Sequence, residues 1–276
     1  MLFAIGMTAY NPTLENIEYI LKFKNDVFKI YIYDNSKNNF YKDKILDKKV
    51  NYNYNGKNDG LSKAFNWFLK TAYKDDVDFL LLLDQDSMFP KELIINLMNE
   101  IQAYFINDRA ENVAVYAYET THCGDFSNRT KRGIYEVKQM ISSGSFLNVK
   151  LLFENQLFYD EQLFIDHVDF EFYARVRQKG YKLIVNDSVI FKQELGYYYK
   201  GQICHSPVRH YYMVRDIGYL YRKKENRLKA ELMTFRYYLR DIMISFKEDE
   251  TFKKILFATR GYLDYKKNVI GEYKKR

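Results

Sequence analysis

The chain has 276 residues, a formal net charge of +7, 47% apolar residues and 29% charged ones. That size holds one large domain or a domain with an appendage, and the balance excludes a disordered, collagen-like or disulfide-dense class. No window of about 20 apolar residues occurs, so no membrane-spanning helix is expected.

The first residues, MLFAIGMTAYNP, carry no basic leader, and Thr8 and Asn11 interrupt the apolar run. No signal peptide is therefore expected. Cys123 and Cys204 lie far apart with no metal-ligand spacing, which reads as free thiols in a reducing, cytoplasmic compartment. The charge is unevenly placed. Residues 206–276 hold 18 Lys and Arg against 9 Asp and Glu, a net of +9, while residues 1–205 are net −2. The basicity belongs to the C-terminal part.

In chain order, LFAIGMTA (2–9) is an apolar run that stops at YNP. LENIEYILKF (14–23) has apolar residues close to helical period. KIYIYDN (29–35) and VNYNY (50–54) read as strands, GLSKAFNWFLKTAY (60–73) as a helix, and FLLLL (79–83) as a buried strand. ELIINLMNEIQAYF (92–105) is a helix with Pro90 suited to its first turn, and VAVYAY (113–118) is a further strand. Buried strands alternating with helices predict an α/β fold: a mostly parallel sheet with helices on both faces.

After residue 119 the rhythm changes. ETTHCGDFSNRTKRG is polar and reads as a mobile loop. VKQMISSGSFLN (137–148) and YKLIVNDSVIFK (181–192) read as strands flanking a helix, HVDFEFYARVRQKG, closed by Gly180. From Ser206 onward the pattern is helical and rich in Tyr and Arg, and a boundary is expected near 200–206.

In an open parallel sheet, ligands sit at the carboxyl ends of the strands. Here those ends read TAYN, YDN and LDQDS, each polar or acidic where the apolar run stops. Asp84 and Asp86 are two positions apart, so in an extended chain they point to one side. Two adjacent carboxylates repel unless a cation joins them, and a divalent ion shared with phosphate oxygens resolves this. The same residues also read as a helix cap, with Asp86 or Ser87 ahead of the helix near Pro90. NDGLSKAFN places Asn58, Gly60, Ser62 and Asn66 on a loop entering a helix, whose amides can face an anion, or simply on a capped helix with a turn glycine. FIDHVDFEFYARVRQKG sets Asp166, Asp169 and Glu171 just before and within a helix, with Arg175 beyond. Asp169 and Glu171 do not share a helix face, so one of them is expected in a cleft or against a cation.

In this order, TAYN, YDN, NDGLSKAFN, LLLDQDS, SSGSFLN, FIDHVDFEFYARVRQKG and HSPVRHYYMVRD resemble glycosyltransferase family 2, most closely its rhamnosyltransferase-like branch, from about residue 3 to 222. The resemblance implies a GT-A, Rossmann-like fold: a catalytic domain over 1–205, with a nucleotide-sugar-binding half (1–118) and an acceptor-binding half (119–205), followed by a helical segment over 206–276. It implies an inverting transfer of rhamnose or another hexose from a dTDP- or UDP-sugar to a glycan or lipid-linked saccharide of a bacterial surface polysaccharide. It places Thr8, Tyr10, Asn11 and Asp34 at the base and ribose, and Asn58, Gly60 and Asn66 near the nucleotide and diphosphate. Asp84 and Asp86 become the D-x-D pair holding Mn²⁺ or Mg²⁺, with Asp86 the direct ligand. Ser142, Ser143 and Gly144 line the acceptor side. Asp169, six residues before Arg175, takes the position of the catalytic base, with Asp166 the competing candidate. Gln193 stands where the family often carries a metal-binding histidine, and Glu194 or His205 are the substitutes in reach. That departure keeps a second reading open, a nucleotide-sugar-binding protein impaired in catalysis.

The basic C-terminal segment interleaves Arg and Lys with Tyr and aliphatic residues. It reads as helices packed on the catalytic domain, as a peripheral contact with the inner face of the plasma membrane, or as a homo-oligomer interface. No nucleic-acid-binding motif is present, so no such partner is expected.

Overall fold

The computed structural model describes residues 1–38, 41, 42, 45, 47–106, 112–120, 133–191 and 196–275. The chain divides into two compact units. The first comprises Met1–Asn58, Lys63–Tyr159 and Phe172–Gln193; the second comprises Asp59–Ser62, Asp160–Glu171 and Glu194–Arg276.

The first unit is built on one mixed sheet. Strand β1 (Phe3–Ala9) is buried at every position, as a parallel strand covered on both faces must be. It pairs in parallel with β2 (Lys29–Asp34) and with β4 (Phe79–Asp84), and β2 continues in parallel to β3 (Val50–Tyr54). The remaining strands are β5 (Val113–Thr120), β6 (Ile134–Glu136), β7 (Ser145–Asn148) and β8 (Lys182–Phe191). The sheet order is β3-β2-β1-β4-β7-β5-β8-β6. Strand β7 runs antiparallel between β4 and β5, and β6 runs antiparallel on β8. The expected α/β class is what forms, and the sheet is mostly parallel.

Helices cover both faces. Buried residues of α1 (Leu14–Leu21) and α3 (Lys91–Ile106) share one core with Ile5, Met7, Ile32, Leu81 and Leu83. Thr13 starts α1: its side chain accepts from the Asn16 N–H while the Asn16 side-chain Oδ1 accepts from the Thr13 N–H. On the opposite face lies α2 (Leu61–Lys74), with Trp67 edge-on to Tyr31 and Tyr33. Gly6 permits this approach, since a Cβ there would sit 2.8 Å from the Phe68 ring.

Two expectations need correction. The run 137–148 is strand only over Ser145–Asn148. Ahead of it the Ser145 N–H donates to the Ser142 carbonyl at 3.0 Å and Gly144 takes a φ of +85°, so the chain turns there. Residues 149–154, without an expected element, form α4 (Val149–Glu154), capped by the Asn148 side chain accepting from the Leu151 N–H. The polar stretch expected as a loop lies outside the described residues except for Glu119 and Thr120, which extend β5, and Gly133.

The second unit contains the hairpin of β9 (Tyr197–Tyr199) and β10 (Gln202–Cys204) and three helices: α6 (Pro207–Lys224), α7 (Arg227–Ser245) and α8 (Thr251–Lys266). Pro207 opens α6 in the first turn, where its missing N–H costs nothing. Gly261 lets α8 lie against α6, because a Cβ there would be 2.2 Å from the Tyr211 carbonyl oxygen. Between these helices runs a buried polar chain. His210 Nδ1 faces the Asp241 carboxylate at 3.0 Å, its Nε2 faces Glu248 at 3.2 Å, and the Lys254 ammonium donates to Glu248 at 2.7 Å. Helix α5 (Val168–Gln178) carries the division between units within its length. Among the described residues no helix is long and apolar enough to cross a membrane.

Candidate active site

In the first unit, parallel register brings three of the anticipated side chains to one sheet edge. Thr8 is the partner of Asp84 on one side and Tyr33 on the other, and Ala9 is the partner of Asp34. Laterally paired residues project to the same face, so Thr8 and Asp84 share the face that α2 covers, and Asp34 lies on the other. Asp34 is buried and accepts from the Ser36 N–H at 2.9 Å and from the Tyr52 hydroxyl. Burial and the Asp34 carboxylate together hold the Tyr52 phenol well above its ordinary pKa, so it stays a donor. Neither Ser36 nor Tyr52 was singled out from sequence. The alternation of Tyr52 and Tyr54 in VNYNY was the available signal.

The Asp84–Asp86 pair is arranged differently from the extended geometry expected. Strand β4 ends at Asp84, and the chain turns through Gln85 and Asp86. The Ser87 N–H donates to the Asp84 carbonyl at 3.1 Å and the Met88 N–H to the Asp86 carbonyl at 3.0 Å. Asp84 is half-buried and Asp86 exposed. The alternation of a strand therefore does not set the direction of Asp86; the turn does. Gln85, passed over in the sequence, bonds both backbone polar groups of Tyr10, at 2.7 Å and 3.1 Å. Asn11 follows with a φ of +47°, its N–H donating to the Ser36 hydroxyl at 2.6 Å. Residues after β1, β2 and β4 are thus stitched together.

The expected acceptor-side residues lie against the same strand. The Asp84 N–H donates to the Ser143 hydroxyl at 3.0 Å, and Ser143 donates to Ser87 at 2.9 Å. The Gly144 N–H donates to the Leu82 carbonyl at 2.8 Å. Ser142 is buried beside the Tyr159 and Tyr173 hydroxyls. Asn66 is buried and spans the backbone of Tyr159, donating to its carbonyl at 2.9 Å and accepting from its N–H at 2.7 Å. Asn58 is half-buried between β3 and α2 in the chain. Arg175 donates to the Phe158 carbonyl at 2.5 Å.

In the second unit, residues 164–171 form the other cluster. The Asp216 carboxylate accepts from the consecutive N–H groups of Phe164, Ile165 and Asp166, at 3.0, 3.3 and 3.4 Å. Arg215 neutralises it at 2.8 Å, both side chains being fully buried. Burial raises the Asp216 pKa and Arg215 offsets part of that. Asp166 is buried and bound through Oδ1 to Arg209, with Nε at 3.0 Å and the guanidinium terminus at 2.9 Å. Burial raises its pKa, against the pull of Arg209. His167 has a φ of +61°, its Nε2 has no hydrogen-bond partner, and burial holds its pKa down to about 4, so its ring is neutral at pH 7. Asp169 sits half-buried and Glu171 buried in the first turn of α5. Gly60 serves this unit: its φ is +83°, and a Cβ would lie 2.5 Å from the Phe164 carbonyl oxygen. Burial lowers the pKa of His205, with Arg209 adding to the effect.

Gln193 and Glu194 lie outside the described residues. Among the described residues no three His, Cys, Asp or Glu side chains come together in a way that would hold a metal ion. Asp84 and Asp86 supply a pair of hard oxygen donors at a strand end. Mg²⁺ and Mn²⁺ fit such a pair, because they keep waters and take phosphate oxygens for their remaining positions.

The family model for glycosyl transferase family 2 matches residues 5–170. A curated relative, "dTDP-rhamnosyl transferase RfbF" of Shigella flexneri, is 29% identical over 244 residues, 80% of this chain and 80% of that one. Among solved structures, GalNAc-T7, determined with UDP, GalNAc and Mn²⁺, aligns with a TM-score of 0.57 at 14% identity. That match covers 97% of this chain and 56% of the other, and it speaks for the fold alone. The S. aureus TarS structure aligns with a TM-score of 0.46 at 18% identity, covering 96% of this chain and 81% of that one.

Proposed function

Because the chain belongs to glycosyl transferase family 2, we propose that it moves rhamnose or another hexose from a dTDP- or UDP-sugar to a glycan or lipid-linked saccharide acceptor, with inversion, in bacterial surface polysaccharide synthesis. The rhamnosyltransferase-like character of the sequence supports the choice of donor class. The observation that carries the reading is the register that sets Thr8 beside Asp84 and Ala9 beside Asp34 at the carboxyl ends of β1, β2 and β4. That edge is where an open parallel sheet binds a nucleotide.

In this reading Thr8, Tyr10, Asn11 and Asp34 receive the base and ribose, with Asn58, Gly60 and Asn66 serving the diphosphate. Asp84 and Asp86 hold the divalent ion, and Ser142, Ser143 and Gly144 belong to the acceptor side. The ion, when bound, offsets the negative charge gathering on the leaving nucleoside diphosphate. The acceptor hydroxyl is a poor nucleophile, and Asp169 accepts its proton as the hydroxyl displaces the diphosphate from the opposite face. Asp166, whose Oδ1 is held by Arg209, is the competing candidate.

The test is a thermal-shift screen of dTDP-rhamnose, UDP-glucose and UDP-galactose, with and without Mn²⁺. A donor at 100 times its Kd stabilises the folded state by about 2.7 kcal/mol. One donor class is expected to raise the melting temperature in wild type, and Asp84→Asn with Asp86→Asn is expected to abolish the Mn²⁺-dependent part. No shift with any nucleotide sugar would sink the reading. An α-to-β or β-to-α change at the anomeric carbon, read by NMR on the product, tests inversion.

A further inference from the structure

A helix of a water-soluble protein normally buries its apolar stripe and shows water its polar one. Helix α7 departs from this: Met233, Tyr237 and Ile244 are only half-buried, and its fully buried positions are largely polar. Its buried residues are Ala230, Thr234, Asp241 and Ser245. The polar ones are served inside: Thr234 donates to the Ala230 carbonyl at 2.7 Å, Ser245 to the Asp241 carbonyl at 3.0 Å, and Asp241 faces His210. Turning the helix over would expel that network. Its outer face carries Leu228, Leu232, Phe235, Leu239 and Met243, with Phe246 following at the C-cap, all exposed. Steps of three and four keep them on one stripe. Helix α8 adds Phe252, Leu256 and Leu263. Leu228 and Phe252 are 84% and 87% exposed. The two helices are neighbours, since the Tyr238 and Tyr262 rings stack at 5.0 Å.

The same face is basic. Arg227, Lys229, Arg236, Arg240, Lys247 and Lys253 are exposed between residues 226 and 256, and Glu250 is the one exposed acid in that span. Lys253 pairs with Glu250 and Lys229 with Glu225. An apolar stripe flanked by cations matches a layer of apolar chains under negative headgroups. It does not match itself: stacking two copies of the face would press cations on cations. We propose that the α7–α8 face rests on the surface of an anionic phospholipid bilayer. This does not depend on which sugar is transferred.

The test is flotation of the full chain with phosphatidylcholine vesicles containing or lacking about a third phosphatidylglycerol, across a salt series. Wild type floats with the anionic vesicles and is released as salt rises. Leu228→Ser with Met243→Ser and Phe252→Ser loses about tenfold or more in partition, since each removes apolar area from the interface. Arg236→Gln with Arg240→Gln and Lys247→Gln loses the preference for anionic lipid. The substituted side chains are all exposed, so melting temperatures hold. As a readout that removes nothing, Phe252→Trp emission shifts to the blue when anionic vesicles are added. Three results overturn the proposal: no flotation of wild type at low salt, equal flotation of the apolar variant, or a lipid-free dimer in sedimentation that the apolar variant dissolves.

Discussion

The side-chain amide of Gln85 holds both backbone polar groups of Tyr10, accepting from the N–H at 2.7 Å and donating to the carbonyl at 3.1 Å. The Gln85 carbonyl in turn accepts from Asn16 at 2.9 Å. The residue between the two carboxylates therefore positions the segment after β1 against the segment after β4. Gln85→Ala should leave the fold intact and cost about 1 kcal/mol of stability per lost hydrogen bond at most. Its larger effect is expected in donor binding, a several-fold rise in donor KM with a smaller change in kcat. An unchanged donor KM in steady-state kinetics would assign the clamp to stability alone.

Asp166 is bound to Arg209, and substitution tells the two candidate bases apart. Asp169→Asn should lower kcat by about 10²–10⁴-fold while leaving the donor Kd in place, the usual worth of general-base help. Asp166→Asn breaks a part-buried ion pair with Arg209, so its cost should appear in the melting temperature. Donor Kd measured beside kcat decides: the Asp169 variant should bind donor as wild type does while turning over slowly, and an unchanged kcat would remove Asp169 from the role.

Asp216 gathers three successive N–H groups just ahead of α5, and Arg215 is buried against it. Asp216→Ala leaves the guanidinium buried without its main partner and should cost about 3–5 kcal/mol. Asp216→Asn keeps an acceptor for the three amides and should retain more of both stability and kcat. Denaturant titration of the two variants tests the order; equal losses would show that the charge, not the acceptor, matters.

Two histidines of the second unit should give stability a maximum near neutral pH. Burial alone would depress the His210 pKa, but Asp241 and Glu248 outweigh it and hold it above its ordinary value of about 6.5. Its contribution is complete below that value and is lost as pH rises through the folded pKa. His167, held at about 4 by burial, works the other way. Its contribution is complete above about 6.5 and is lost as pH falls toward 4. Melting curves between these limits should show both flanks. His210→Gln should flatten the alkaline one and His167→Gln the acidic one.

Much of this was legible from residues alone. The apolar runs of β1, β2 and β4 and the helical spacing of α2 and α3 are local signals, and the strand runs placed Asp34 and Asp84 at strand ends. The excess of Lys and Arg after residue 206 was equally plain. Other features depend on residues far apart in the chain. Asp86 sits in a turn because β4 ends one residue after its apolar run, and Gln85 acquires a role only when Tyr10, 75 residues earlier, arrives beside it. Helix α7, with polar residues at its fully buried positions, is the sharpest case. Its periodicity reads as an ordinary amphipathic helix, and nothing local says which stripe turns inward. The pairing of Asp241 with His210, 31 residues away, decides that. A buried charge must find its partner before the apolar side can find a core, and that choice is made in three dimensions.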